Sequence, residues 1–519
     1  MKPSDYLWRL IHYMEKAESR YFRLFAGMQN GKKNYEYLYE EVSKVKKLEK
    51  YDEALIRERL DKAGKVPARS FAVTKKYLFE NLMRSLRLLH EDRDMESRVR
   101  KLYDEATLLF SRGLTEKSLE YTLEAKRLAE KYELFSILID LLGLEIQHAF
   151  FSIKPSKSPF ARFEALYREK KAAQEKLAQE TEANRLRDQA FILYRTRNTQ
   201  QGKDKERRIK ELQNQPFLRE PGKFLSFRSE LYYHHAWAFI YLVENINKER
   251  ALYHSGKTLE VWDKYPIFKE EYPRLYKVNL FGYLGNCHSF KDYSNYQITL
   301  EKARRLKSRT LTEKASDFQD TAHYELLFLI NTNCYNEALK LAGELEEKIK
   351  DYFRRKYPLR KDKLVTFYYN TSLLLFVTGH YEDALRYIGE IRKVGKTDIR
   401  LDIQYFTRIL KLLILFEQGK YDQLDYKEPY VKKILKNNDM YSEFDATVLG
   451  HLRKLIKGDI ESEERKTYQA LLKDIGFSEE KFKKVRGREE IKIWARSKIE
   501  RRPMAEVLTE MNEAAMAKA

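Results

Sequence analysis

The sequence predicts an all-α protein, an α-solenoid of stacked helical hairpins, and three observations carry that expectation. Turn-forming residues are scarce, with 19 glycines and 11 prolines in 519 residues, far fewer than a β-sandwich or a nucleotide-binding sheet needs. One hairpin pattern returns at irregular intervals of 40–46 residues, and such a period marks a repeat architecture. The length also exceeds what a single compact core supports, whereas a repeat array can grow without one. At 43% hydrophobic residues, the chain is too apolar to be disordered.

The clearest copy is Tyr368–Ile391, YYNTSLLLFVTGHYEDALRYIGEI. Apolar residues recur at three- and four-residue spacing up to Phe376 and Val377, which reads as one amphipathic helix. Gly379 stops it, because glycine takes the left-handed conformation that a helix end often needs. Tyr381 packs into the hinge, and Ala384, Ile388 and Ile391 line a second helix, with the small Ala384 where the two must cross closely. The same order returns in Leu415–Gly419–Tyr421–Leu424 and in Leu329–Asn333–Tyr335–Ala338–Ala342–Leu345, where asparagine replaces the glycine. It returns again in Leu284–Cys287–Lys291–Tyr293–Leu300–Ala303, and near the front in Leu102–Ala106–Leu109–Gly113–Ser118–Ala125. Phe239–Leu242–Ala251–Ser255–Thr258 keeps the hairpin but loses the aromatic hinge.

These segments resemble tetratricopeptide (TPR) repeats, in which a large apolar and a small residue are followed by Gly-x-Tyr-x-x-Ala and a second small residue. The likeness covers about half the chain, residues 101–151 and 228–435, and is best in Tyr368–Ile391. The intervals are longer than the standard repeat of about 34 residues, which implies longer helices or loops and an irregular superhelix. The resemblance implies a concave face that receives a partner. Some TPR proteins clamp a C-terminal carboxylate with Lys and Asn on successive first helices. Asn370 stands at such a position, but Leu327, Leu373 and Leu410 stand nearby where a clamp needs polar groups.

Five regions follow in order. Residues 1–95 read as an N-terminal helical cap whose opening resembles that of uncharacterised bacterial TPR-type proteins. Residues 96–153 hold TPR-like hairpins. Residues 154–222 read as long charged helices, with Phe163, Leu166, Ala173, Leu177, Phe191 and Tyr194 as their apolar stripe. Residues 223–457 form the main array. Residues 458–519 are a basic helical segment ending in an Ala/Met/Glu tail expected to fray.

No signal-peptide core opens the chain, since charges interrupt each short apolar run. The longest uninterrupted apolar run, Ala236–Val243, falls far short of the ~20 residues that cross a bilayer. Two cysteines, Cys287 and Cys334, cannot build a disulfide framework and read as small buried side chains. The expectation is a cytoplasmic protein with no membrane span.

Tests for chemistry return little. Ser255-Gly256-Lys257-Thr258 lacks the first glycine of a phosphate loop, and no strand precedes it. His234 and His235 are adjacent and point about 100° apart on a helix, a poor arrangement for one metal. Neither a nucleophile elbow nor a dinucleotide loop occurs. No catalytic residue, metal ligand or cofactor is expected.

Lys and Arg outnumber Asp and Glu by 100 to 79, which favours acidic partners. Arg354, Arg355, Lys356, Arg360, Lys361 and Lys363 crowd one inter-repeat loop as a candidate basic patch, and further basic runs fill residues 185–210 and 481–502. Tyr368, Tyr369, Asn370, Phe376, Tyr405 and Arg408 lie on first helices as candidate partner-binding residues. The preferred expectation is a non-enzymatic scaffold that binds a partner's peptide or helix of acidic character on the concave face. The alternative is a nucleic-acid-associated regulator whose basic helices and loops contact phosphates.

Overall fold

The structure, a computed structural model, describes residues 5–28, 32–92, 94–152, 159–196, 202–244, 247–308, 310–355, 357–394, 399–437, 441–457, 461–477 and 485–517. Among the described residues the fold is all-α, without a strand. No helix among them is long and apolar enough to cross a membrane. The chain divides into two compact units.

The first unit comprises residues 1–192, 198–236 and 264–272. Helices α1 (Tyr6–Tyr13), α2 (Lys16–Gly27), α3 (Asn34–Lys44), α4 (Glu53–Lys62) and α5 (Phe71–Leu89) surround Leu7, Phe22, Tyr35, Leu38, Leu78 and Leu82. Asp52 caps α4 by accepting from the amides of Ala54 and Leu55, as a short acceptor should at a helix start. A second core, with Val99, Ala125, Leu141, Leu166 and Ala173, draws on α6 (Met95–Ser111), α7 (Thr115–Lys131), α8 (Phe135–Phe151) and α9 (Pro159–Thr196). Helix α9 runs 38 residues, since its one proline is the first residue, where the missing N–H costs no bond. Its apolar stripe departs from expectation in the second half: Ala183, Leu186 and Ala190 are buried, while Phe191 is exposed. Next come α10 (Gly202–Gln213), α11 (Pro216–Arg219), the first half of α12 (Phe227–Glu244) and, after α13 (Lys248–Lys264), which falls almost wholly in the second unit, α14 (Ile267–Glu271).

The second unit comprises residues 193–197, 237–263 and 273–519. It pairs α15 (Pro273–Phe290) with α16 (Tyr293–Arg304), α17 (Leu311–Asn331) with α18 (Tyr335–Arg354), α19 (Lys361–Val377) with α20 (Tyr381–Val394), and α21 (Leu401–Glu417) with α22 (Tyr421–Asn437). One backbone device closes all four hairpins. Lys291, Asn333, Gly379 and Gly419 are left-handed, with φ of 64°, 62°, 81° and 67°. The amide after each reaches back to the carbonyl five residues earlier, as in His380 N to Leu375 O at 2.8 Å and Lys420 N to Leu415 O at 3.0 Å. This 6→1 bond satisfies a carbonyl that the helix end would leave unpaired. Gly113 and Glu133 close two turns of the first unit in the same way.

Small side chains sit where helices cross: Ala303, Ala338, Ala342 and Ala384 are fully packed. The first helices also pack in sequence, α15 on α17, α17 on α19 and α19 on α21. Ser255 and Thr258 lie buried within α13 and donate to Ala251 O and Ser255 O, so the Ser-Gly-Lys-Thr segment is helix. Cys287 is buried, Cys334 half-buried, and both are free thiols.

Helices α23 (Glu443–Lys457), α24 (Glu461–Phe477), α25 (Arg488–Glu500) and α26 (Met504–Ala517) complete the unit. The expected fraying tail is instead ordered helix packed against α19. Met504 and Val507 belong to the same core as Leu326 and Phe376. Apolar residues spaced for one helix face found a surface to cover, which a local reading of an Ala/Met/Glu run cannot reveal.

Candidate functional site

Three of the six candidate partner-binding residues are core. Tyr368 is buried beside Tyr387, Tyr369 is 2% exposed and Phe376 is 0% exposed. The reason is that α19 is enclosed by α17, α18, α20, α21 and α26, so an apolar helix that looks one-sided in its sequence is packed all round. Asn370 is half-buried, and its Nδ2 has no hydrogen-bond partner. Tyr405 and Arg408 are half-exposed on α21.

What covers the buried tyrosine is the chain's own C-terminal segment. Tyr369 Oη donates to Glu490 Oε1 at 3.0 Å, and burial pushes both groups above their ordinary pKa. Arg486 pairs with Asp402 at 3.0 Å and lies over the Tyr369 ring. Burial alone would raise Asp402, but the guanidiniums of Arg400 and Arg486 outweigh it and hold the carboxyl down to about 2. Trp494 Nε1 donates to Glu417 Oε1 at 2.7 Å, and Lys498 Nζ donates to Oε2 of the same carboxylate at 2.7 Å. Further along, Asn512 Nδ2 donates to Asn333 Oδ1 at 2.9 Å, and Thr509 shares a 3.2 Å hydrogen bond with Tyr335. Gly487 has φ +93°, and a Cβ there would lie 1.8 Å from the Phe406 ring, so the segment's backbone rests directly on α21.

Four cations of the candidate basic patch pair with three carboxylates inside the chain. Arg354 and Arg355 pair with Asp351 at 3.4 and 2.9 Å, Arg360 with Asp362 at 2.7 Å, and Lys363 with Asp320 at 2.6 Å. Lys361 is exposed, and Lys356 lies outside the described residues. The other basic runs behave alike: Arg185 meets Glu182, Arg207 and Arg208 meet Asp204, and Arg496 and Arg502 meet Glu500 and Glu510. Of the final run, Lys481, Lys483 and Lys484 lie outside the described residues.

One cationic group behaves differently. Tyr405, Arg408 and Lys411 recur every third residue on α21 and so share a helix face. Burial lowers the Arg408 pKa, and Arg392 of α20 lowers it further. Burial likewise lowers Lys411, with Lys427 of α22 and Arg392 adding to the effect. Among the described residues none of the four cations forms an ion pair. Lys427 donates only to Gln423, at 2.8 Å, and Arg408 Nε is sealed from solvent without an acceptor. Tyr430, 59% exposed on α22, acts on the Arg408 charge as Tyr405 does. Of this group only Tyr405 and Arg408 are among the candidates that the sequence offers. Lys411 was legible as the next residue of the same three-residue spacing, whereas Arg392 and Lys427 come from neighbouring helices and need the packing.

The fold and this surface define a class: an all-α protein with serially packed helical hairpins in residues 273–437 and, on α21, two half-buried cations that form no ion pair among the described residues. No family model, curated protein or solved structure matches the chain.

Proposed function

We propose that this chain is a non-enzymatic, TPR-like scaffold of the α-solenoid type that binds a partner protein through its helical hairpins. The observation that supports the reading most is the shared hinge of the four hairpins in residues 273–437, with left-handed Lys291, Asn333, Gly379 and Gly419 and first helices packed on one another in sequence. Such stacking extends surface in one direction and suits the holding of another chain. On the first-helix side of residues 311–417 the C-terminal helices already occupy the ground a partner helix would take. Partner contact therefore falls on faces those helices leave open.

A nucleic-acid role would draw on the basic runs. Most of their described cations are spent on neighbouring carboxylates, which weakens the counterion release that drives phosphate binding. Affinity purification of the tagged full-length chain separates the readings. A stoichiometric protein partner that survives nuclease treatment is expected. Recovery of nucleic acid alone, lost steeply as salt rises, would overturn the scaffold reading.

A further inference from the structure

We propose that the surface where α20, α21 and α22 meet is a docking site for an acidic peptide segment of a partner protein, received by Arg392, Arg408, Lys411 and Lys427. The inference rests on the scaffold reading and deepens it.

Charge complementarity is the argument. A half-buried cation is costly unless an anion answers it, and at several such cations of this unit the chain supplies that anion. Lys277 meets Asp317 at 2.6 Å, Arg386 meets Glu346 at 2.7 Å and Arg400 meets Asp402 at 2.8 Å. At the junction it does not. Arg408 and Lys411 share one face of α21 and are desolvated together, and the further charges that reach them, from Arg392 and Lys427, are also positive. Arg408 and Lys411 are half-buried and form no ion pair among the described residues, and Arg408 Nε is sealed from solvent without an acceptor, a cost that is relieved when a ligand brings negative charge. Local violations of the pairing rule of this kind are expected at functional sites.

The occupant is a peptide in preference to a nucleic-acid strand. The junction is compact, involving three adjacent helices, and the basic loop of the same unit around residues 354–360 is ion-paired within the chain. Its aromatic members suit a peptide as well. Tyr405, together with the exposed Tyr430 of α22, offers ring faces and hydroxyls to side chains and backbone, as aromatic residues do at protein interfaces.

Fluorescence polarisation with a labelled octaglutamate peptide tests this on the full chain, at about 0.15 M salt so that diffuse attraction is screened. The double variant Arg408→Met with Lys411→Met should weaken binding by about tenfold or more, in keeping with loss of two charge-assisted contacts. Arg168→Met with Lys171→Met, which removes two exposed cations of α9, should change it by no more than about twofold. Thermal unfolding of both variants checks that each is folded. If the first is not, Arg392→Glu with Lys427→Glu, on the two flanking helices, gives the same readout. Equal weakening by the junction and α9 variants would overturn the proposal, as would absence of binding to the parent chain. Tighter binding of an oligothymidylate of equal charge through the same residues would overturn it in favour of nucleic acid. A purified partner whose retention ignores the junction variants would overturn the site and leave the scaffold reading standing.

Discussion

Two faces of α21 solve the same problem in opposite ways. On one, Asp402, Phe406 and Glu417 meet the C-terminal helices, and each polar group has a partner: Asp402 has Arg486, and Glu417 has Trp494 and Lys498. On the other, Tyr405, Arg408 and Lys411 face further cations, and neither Arg408 nor Lys411 forms an ion pair among the described residues. Both faces carry charge into partly desolvated surroundings, but only the first balances it internally. The contrast separates a charge used for folding from a charge left for something outside the chain.

Removing a large anchor from the balanced face should have the greatest effect. Trp494 is 0% exposed and packs on Phe416 and Tyr468, so Trp494→Ala should cost about 3–5 kcal/mol in chemical denaturation. A small loss would mean that the C-terminal helices rest only lightly on the array. Gly487→Ala should follow at about 2–3 kcal/mol, because the new Cβ overlaps the Phe406 ring and the backbone is left-handed. Phe406→Ala in that background should restore part of the loss, a non-additivity visible in a double-mutant cycle.

The same face carries a pH signature. Burial holds the Glu490 carboxyl above its ordinary value of 4.5. As pH rises past that value, the unfolded chain releases its proton first, and stability declines until the folded carboxyl also ionises. Glu490→Gln still accepts the Tyr369 hydroxyl and removes this dependence. Its urea midpoint should exceed the parent's near neutral pH, and the two should converge towards pH ~4.5. A gap that widens on acidification would contradict the assignment. Asp402 works in the other direction, its contribution vanishing as pH falls towards about 2.

Smaller effects sharpen the other side of the comparison. Arg408→Met with Lys411→Met should raise stability by about 0.5–1 kcal/mol while it weakens peptide binding, since the pair is destabilised by its surroundings. A fall in stability would show that these cations are structural. Arg360→Gln, which breaks a largely exposed pair with Asp362, should change the denaturation midpoint by less than about 0.5 kcal/mol equivalent.

The hinges were legible in the sequence because they are local. Gly379, Gly419 and Asn333 announce a left-handed turn by residue type, and the small residues that follow them mark the crossings. Lys291 and Glu133 hold the same conformation without such a signal. Of the six candidate partner-binding residues, spacing alone does not separate the half-exposed Tyr405 and Arg408 from the buried Tyr368, Tyr369 and Phe376, because it cannot distinguish an open face from one that another segment covers.

By itself the sequence determined the all-α class and the hinges that Gly379, Gly419 and Asn333 mark, which depend on residues within one or two turns of each other. Only the tertiary structure decided that residues 485–517 return to cover Tyr369 and Phe406, and that cations from three helices meet without an ion pair among the described residues. Both outcomes join residues distant along the chain, and burial and charge balance depend on which surfaces meet in space.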